Sequence, residues 1–287
     1  MSRIAYVNGR YLPHSDAAVH IEDRGFQFAD GVYEVCEVRQ GMIVDLTRHL
    51  TRLDRSLSEL RMALPMSRAA LTTVIREVLR RNRVRNGLFY LQITRGVARR
   101  DHYFPSQDTP LTVTITAKST DPSIMARKYA NGIKVITVPE NRWDRVDIKT
   151  VGLLPNVLAK QQAKEAGAQD AIFVDRNGIV LEGASSNVWM VTADGELVTR
   201  PAEQGILRGI TRTTVLDVTA KLGLTVVERG FKVDEMMAAR EVFLTSATGI
   251  CVPIVEIDGK PVANGHPGTA SSAIRDAFFD VAEKTAI

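Results

Sequence analysis

In AYVNGRYL, near the start of the chain, short, mostly apolar, β-prone runs flank Asn8-Gly9, a dipeptide suited to a turn with positive φ, so the pattern predicts a β-hairpin. VYEVCEVRQGMIVDL alternates again and turns at Gln40-Gly41, which predicts a second hairpin. The period then changes. Leu46, Leu50, Leu53, Leu57 and Leu60 recur at steps of four and three, giving a helix with one buried stripe, and Leu71, Val74, Ile75, Val78 and Leu79 give another. LFYLQITR and LTVTITA return to strand character. Residues 1–120 therefore read as an α+β domain.

KSTDPSIMARKYANG loses strand periodicity and carries proline and glycine, which places a linker at residues 121–132. From 133 to 287 the pattern predicts a larger α/β domain. Its strands fall at Ile133–Val138, Ala171–Val174, Asn187–Val191, Leu224–Glu228 and Glu241–Leu244, interleaved with helices near Pro155–Ala166, Gly209–Leu222 and Ala270–Ala282. Arg176-Asn177-Gly178, Asp194-Gly195 and Asp258-Gly259 supply tight turns.

Composition narrows the class without naming a function. The 287 residues are 45% hydrophobic and 24% charged, which suits globular material of one large or two modest domains. The net charge of +4 is a scattered arginine excess with no basic run, so nothing favours a nucleic-acid tail. Cys36 and Cys251 are far apart and lack metal-ligand spacing, and are expected buried and reduced. No secretory leader pattern and no apolar stretch of about 18 residues is seen, which leaves a cytoplasmic protein without membrane contact as the expectation.

Four stretches carry chemistry. In RWDRVDIKTVGLLPN, Lys149 follows a β-prone dipeptide and precedes a neutral stretch, so it is expected on a strand and partly enclosed. By itself it reads as a strand-edge charge or as an amine made reactive by desolvation and by Arg142 and Arg145. In IVLEGASSN, Glu182 interrupts an apolar run ahead of small residues; it is a turn residue, or a buried carboxylate that needs a cation partner. ILRGITRTTV leads into a helix through Gly209-Ile210-Thr211, where free N–H groups can meet a phosphate. Arg52, in RHLTRLDRS, could offer a bidentate guanidinium to the same anion or simply be solvated.

In order along the chain, DRGFQFADGVYEV, HLTRL, TRGVARRDHYFP, DIKTVGLLPNVLAKQ, LEGASSNV, GILRGITR and FLTSATGI resemble the pyridoxal-phosphate enzymes of the D-amino-acid and branched-chain aminotransferase fold, the class IV aminotransferases. The resemblance implies a two-domain fold of that type, combining α/β and α+β units, with pyridoxal 5'-phosphate as cofactor. It makes Lys149 the Schiff-base lysine and proton shuttle, and Glu182 the partner of the pyridine nitrogen. Arg52, Ile210 and Thr211 become phosphate ligands and Leu207 packs on the ring. The R-x-H pair Arg100 and His102, with Tyr33, resembles the carboxylate trap of the D-amino-acid enzymes, in which the loop residues reach the pocket of the neighbouring subunit; a homodimer follows.

The sequence also departs from the family pattern. Ala247 stands where a threonine usually helps hold the phosphate, so either Ser246 or Thr248 compensates or the cofactor grip is weaker, while Phe26 replaces a tyrosine and Ala29 a glycine. The implied activity is transamination between D-amino acids, such as D-alanine and D-glutamate, and 2-oxo acids. A branched-chain L-aminotransferase, an (R)-amine transaminase and a 4-amino-4-deoxychorismate lyase share the fold and remain alternatives. A non-enzymatic anion-binding protein is the distant one.

Overall fold

The computed structural model describes residues 3–203 and 205–287, which divide into two compact units. The first comprises the chain up to Asp121 together with Ile148–Gly152 and Glu283–Ile287; the second comprises Pro122–Asp147 and Leu153–Ala282.

In the first unit the hairpin of β1 (Ile4–Val7) and β2 (Arg10–Pro13) turns at Asn8 and Gly9, both at positive φ, as the dipeptide predicts. A short helix, α1 (Arg24–Phe28), leads into β3 (Gly31–Arg39), which pairs with β4 (Met42–Val44) across Gln40-Gly41. Helices α2 (Leu46–Glu59) and α3 (Arg68–Arg81) follow, then β5 (Gly87–Thr94) and β6 (Thr112–Ser119). The strands run β4-β3-β5-β6-β1-β2. Alternation turns Val32, Cys36 and Val38 of β3 toward the leucine stripe of α2 and the apolar face of α3. Leu53 and Leu57 are fully buried there, each contributing about 1.5–3 kcal/mol of transfer free energy.

The second unit begins with α4 (Pro122–Asn131), so the segment expected as linker is helical. Its proline occupies the first helical turn, where a missing N–H costs nothing. Then come β7 (Ile133–Pro139), α5 (Leu154–Glu165), β8 (Asp170–Val174), β9 (Val180–Gly183), β10 (Ser186–Val191), β11 (Leu197–Thr199), α6 (Ile210–Lys221), β12 (Val226–Glu228), α7 (Val233–Met237), β13 (Glu241–Ser246), β14 (Gly249–Ile257), β15 (Lys260–Pro261) and α8 (Thr269–Val281). The sheet runs β12-β11-β10-β13-β14-β7-β8-β9, and β9 pairs with β10 as well as β8. Six strands therefore close into a ring, β10-β13-β14-β7-β8-β9, which removes two edges that would otherwise need covering. Two pairings in the ring are parallel, β14 with β7 and β7 with β8.

The chain ends in β16 (Lys284–Ala286), which pairs antiparallel with β4 and makes the first sheet seven-stranded. The sequence pattern assigns the C-terminus and Lys149 to the second domain. Both lie in the first unit instead, because backbone pairing draws them there: β16 to β4, and Thr150 to Val32 by an isolated bridge.

Candidate active site

Lys149 sits on extended chain held by two backbone bonds, and the strand expected for it does not form. Its N–H donates to Ser56 Oγ (3.4 Å), and its carbonyl accepts from Tyr33 N–H (3.0 Å). Lys149 is half-buried; its Nζ lies 4.2 Å from the centre of the Tyr33 ring and makes no ion pair among the described residues. An amine that is held by its backbone, partly shielded and without a carboxylate is free to react with an aldehyde. Arg142 and Arg145, expected to act on Lys149, are met by carboxylates of their own, Glu140 and Glu182 for the first and Asp147 for the second.

Tyr33 belongs to β3, and the next residue, Glu34, points the opposite way into the core. There its carboxylate accepts from Arg52 Nε (2.8 Å) and Nη2 (2.7 Å), and from His49 Nδ1 (2.7 Å). Burial alone would raise the Glu34 carboxyl; the charge and hydrogen bonds of Arg52 outweigh it and hold the group at about 2. Burial lowers His49, so it donates as a neutral imidazole to an ionised carboxylate. The bidentate edge of Arg52 is thus used on Glu34, whereas the sequence reading aims that edge at a phosphate. Glu34 and His49 are legible in the sequence: each is a titratable side chain in the buried phase of an otherwise apolar pattern.

Arg100 and His102 project from the exposed loop between β5 and β6. Arg24, itself buried, donates through Nη1 to the Asp101 carbonyl between them (2.7 Å), and through Nε to Asp30 (2.9 Å). Phe28 gathers the group. The Arg24 guanidinium lies 4.8 Å from its ring centre, that of Arg100 5.1 Å, and the His102 ring 5.6 Å. The ring of Tyr33 meets Lys149 and Tyr90.

In the second unit Glu182, on β9, is 5% exposed and has the cation partner that burial requires: Arg142 Nη1 donates to it at 2.6 Å. Asn187 Nδ2 donates to it at 3.0 Å and Leu207 N–H at 3.2 Å, so the carboxylate is oriented from three sides. Asn187 also donates to the Leu207 carbonyl. A Cβ at Gly209 would collide with Asn187 Oδ1, which explains the glycine. Gly209 caps α6 without a side-chain bond, so the N–H groups of Ile210 and Thr211, in the first turn, face outward along the positive end of the helix. Ser246 and Ala247 lie half-buried at the turn between β13 and β14, where Ser246 registers with Gly249; Thr248 is exposed.

A family model for class IV amino-transferases matches residues 31–257. The chain is a class IV aminotransferase. The D-alanine aminotransferase of Bacillus licheniformis is 40% identical over 271 residues, 94% of either chain, and that of Staphylococcus haemolyticus 38% over 276 residues, 95% of either chain. Among solved structures, the branched-chain amino acid aminotransferase of Escherichia coli matches with a TM-score of 0.90 at 25% identity, covering 98% of this chain and 95% of that one. The T.th. branched-chain amino acid aminotransferase, solved with pyridoxamine 5'-phosphate, matches with a TM-score of 0.88 at 26% identity, covering 98% and 94%. In this aminotransferase the donor chemistry fits a pyridoxal phosphate: an amine without an ion pair among the described residues, an oriented buried carboxylate and a helix N-terminus without a side-chain cap suit its aldehyde, ring nitrogen and phosphate in turn.

Proposed function

We propose that this aminotransferase exchanges amino groups between D-amino acids and 2-oxo acids, with pyridoxal 5'-phosphate carried on Lys149. The observation that carries the reading is the Lys149 amine, fixed through its backbone over Tyr33 and lacking a counter-ion among the described residues. The D-specific choice is supported by identities of 38–40% to D-alanine aminotransferases against 25–26% to the branched-chain enzymes. When bound, the cofactor supplies an aldehyde for imine formation and a ring that accepts the electron pair left at the substrate Cα.

The chain supplies the rest. Lys149 Nζ would hold the cofactor by its aldehyde and would carry the proton that leaves the substrate Cα. Glu182, kept in place by Arg142, Asn187 and Leu207 N–H, would hold a proton on the ring nitrogen, and Leu207 would pack on the ring. Ile210 and Thr211 N–H would hold the phosphate with Ser246, the backbone at Ala247 and Arg52, whose Nε and Nη2 stay on Glu34; either Ser246 or Thr248 would replace the hydroxyl that Ala247 lacks, or the grip would be weaker. Tyr33, with Arg100 and His102 of a second copy, binds the substrate carboxylate.

A homodimer is part of this reading. The first unit exposes Ile21, Phe26 and Tyr103, each at least 74% exposed, and the second exposes Leu154, Val157 and Leu158 on one helix. Both cysteines are buried and free, which suits a reducing cytoplasm, and no helix among the described residues is long and apolar enough to cross a membrane. Lys149→Ala should abolish D-alanine transamination, and the loss of yellow colour and of borohydride labelling should accompany it, with circular dichroism unchanged. Near wild-type turnover in that variant would end the reading.

A further inference from the structure

Strand β3 divides its side chains between two faces. Val32, Glu34, Cys36 and Val38 are buried beneath the helices, whereas Tyr33, Val35 and Glu37 occupy the other face in half-buried positions. Lys149 Nζ stands over the first of these three, so the face they share is the reacting one. Tyr90, paired with Val35, stacks on Tyr33 with ring centres 5.5 Å apart and donates its hydroxyl to Gln92 Oε1. Glu37 pairs with Leu88. Outward from Lys149 the strand thus presents a ring, an aliphatic side chain and a carboxylate.

That carboxylate makes no hydrogen bond or ion pair with any described residue. Burial lifts its carboxyl to about 7, against the opposing pull of Arg39. Arg39 on the same strand, Lys118, registered with Leu88 on β6, and Arg85, whose carbonyl accepts from Gly41 N–H, are cations at that end of the sheet, and all three are exposed. A half-buried carboxylate lacking a donor is a standing cost that an incoming cation removes.

We propose that Glu37 is a specificity-determining residue of the transamination: it binds the far end of the substrate side chain and favours D-amino acids with a cationic terminus, such as D-lysine, over neutral and acidic ones of equal length. The proposal rests on the D-aminotransferase reading above. Side chains on one face of a strand repeat every ~6.6 Å, so Glu37 stands ~13 Å along β3 from Tyr33. A D-alanine methyl falls well short of it. A four-carbon side chain running past Val35, together with the reach of the glutamate itself, spans the gap.

The test is steady-state kinetics with D-alanine, D-norleucine, D-lysine and D-2-aminoadipate on the wild type, Glu37→Gln and Glu37→Lys. Wild type should prefer D-lysine to D-norleucine. In Glu37→Gln, kcat/KM for D-lysine should fall about 10-fold, the effect of one charge-assisted contact, mostly through KM, with D-alanine held within about 2-fold as the control for folding. Glu37→Lys should shift the preference to D-2-aminoadipate. An unchanged D-lysine to D-norleucine ratio in Glu37→Gln overturns the proposal, as do equal losses on D-alanine and D-lysine, which would mark a structural or subunit-contact role. A wild type that turns over L-leucine but not D-alanine removes the parent reading, and this proposal falls with it.

Discussion

Glu34 shows how much one residue in the wrong phase of a pattern can organise. Its position in the buried set of β3 obliges the fold to surround it with donors, and Arg52 and His49 on α2 comply, fixing the helix against the strand that carries Tyr33. Glu34→Gln should destabilise the protein by about 3–5 kcal/mol, the usual result of leaving a buried charge partner unmatched, here Arg52. A group with a depressed folded pKa stabilises above its unfolded value and loses that contribution as pH falls. The wild type should therefore lose stability between about 4.5 and about 2, and the variant should show a shallower slope there in urea titrations. At this scale the sequence is partly legible: Glu182 and Lys149 stand out against their neighbours, but the partners Arg142 and Asn187 do not, since only the folded backbone decides which of many polar residues meets them.

Elements are easier to read than residues wherever periodicity is strong. Helices α2, α3, α5, α6 and α8 and both N-terminal hairpins fall within a few residues of their expected bounds. Strand β14 escapes the pattern because its run GICVPIVEI is buried without alternation and contains a proline, and β16 because three residues carry too little pattern to mark a strand. The helix at Pro122–Asn131 reads as a linker because the segment lacks strand periodicity and carries proline and glycine, which in the fold mark only its ends, Pro122 at the start and Gly132 just past the last residue. At the C-cap of α1, Ala29 adopts φ +56 and donates its N–H back to Arg24 and Gly25, a left-handed position where the family pattern has glycine. Ala29→Gly should thus raise stability by about 1 kcal/mol, read as an increased midpoint in thermal melts. A lower midpoint would mean that the Ala29 methyl, which lies near enough to Gly152 to touch a Cβ placed there, packs more than it strains.

The whole molecule joins two units of different construction, an open antiparallel sheet under helices and a closed mixed ring; Lys149 and Tyr33 belong to the first, Glu182 and the α6 N-terminus to the second. The order of motifs along the chain makes the family readable even though no single motif is decisive. In the proposed reading the stereochemistry would be set by Arg100 and His102 of a second copy. Arg100→Met should lower kcat/KM for D-alanine at least about 10-fold while sparing an amine donor that lacks a carboxylate, and equal losses on both would mean that the loop is not the trap. The central claim is tested most directly by mixing the cofactor-loaded enzyme with one enantiomer of alanine in the absence of any 2-oxo acid and following the cofactor absorbance. D-alanine should bleach the yellow form and release one pyruvate for each active site, with L-alanine leaving the spectrum unchanged; bleaching by L-alanine alone would contradict the account.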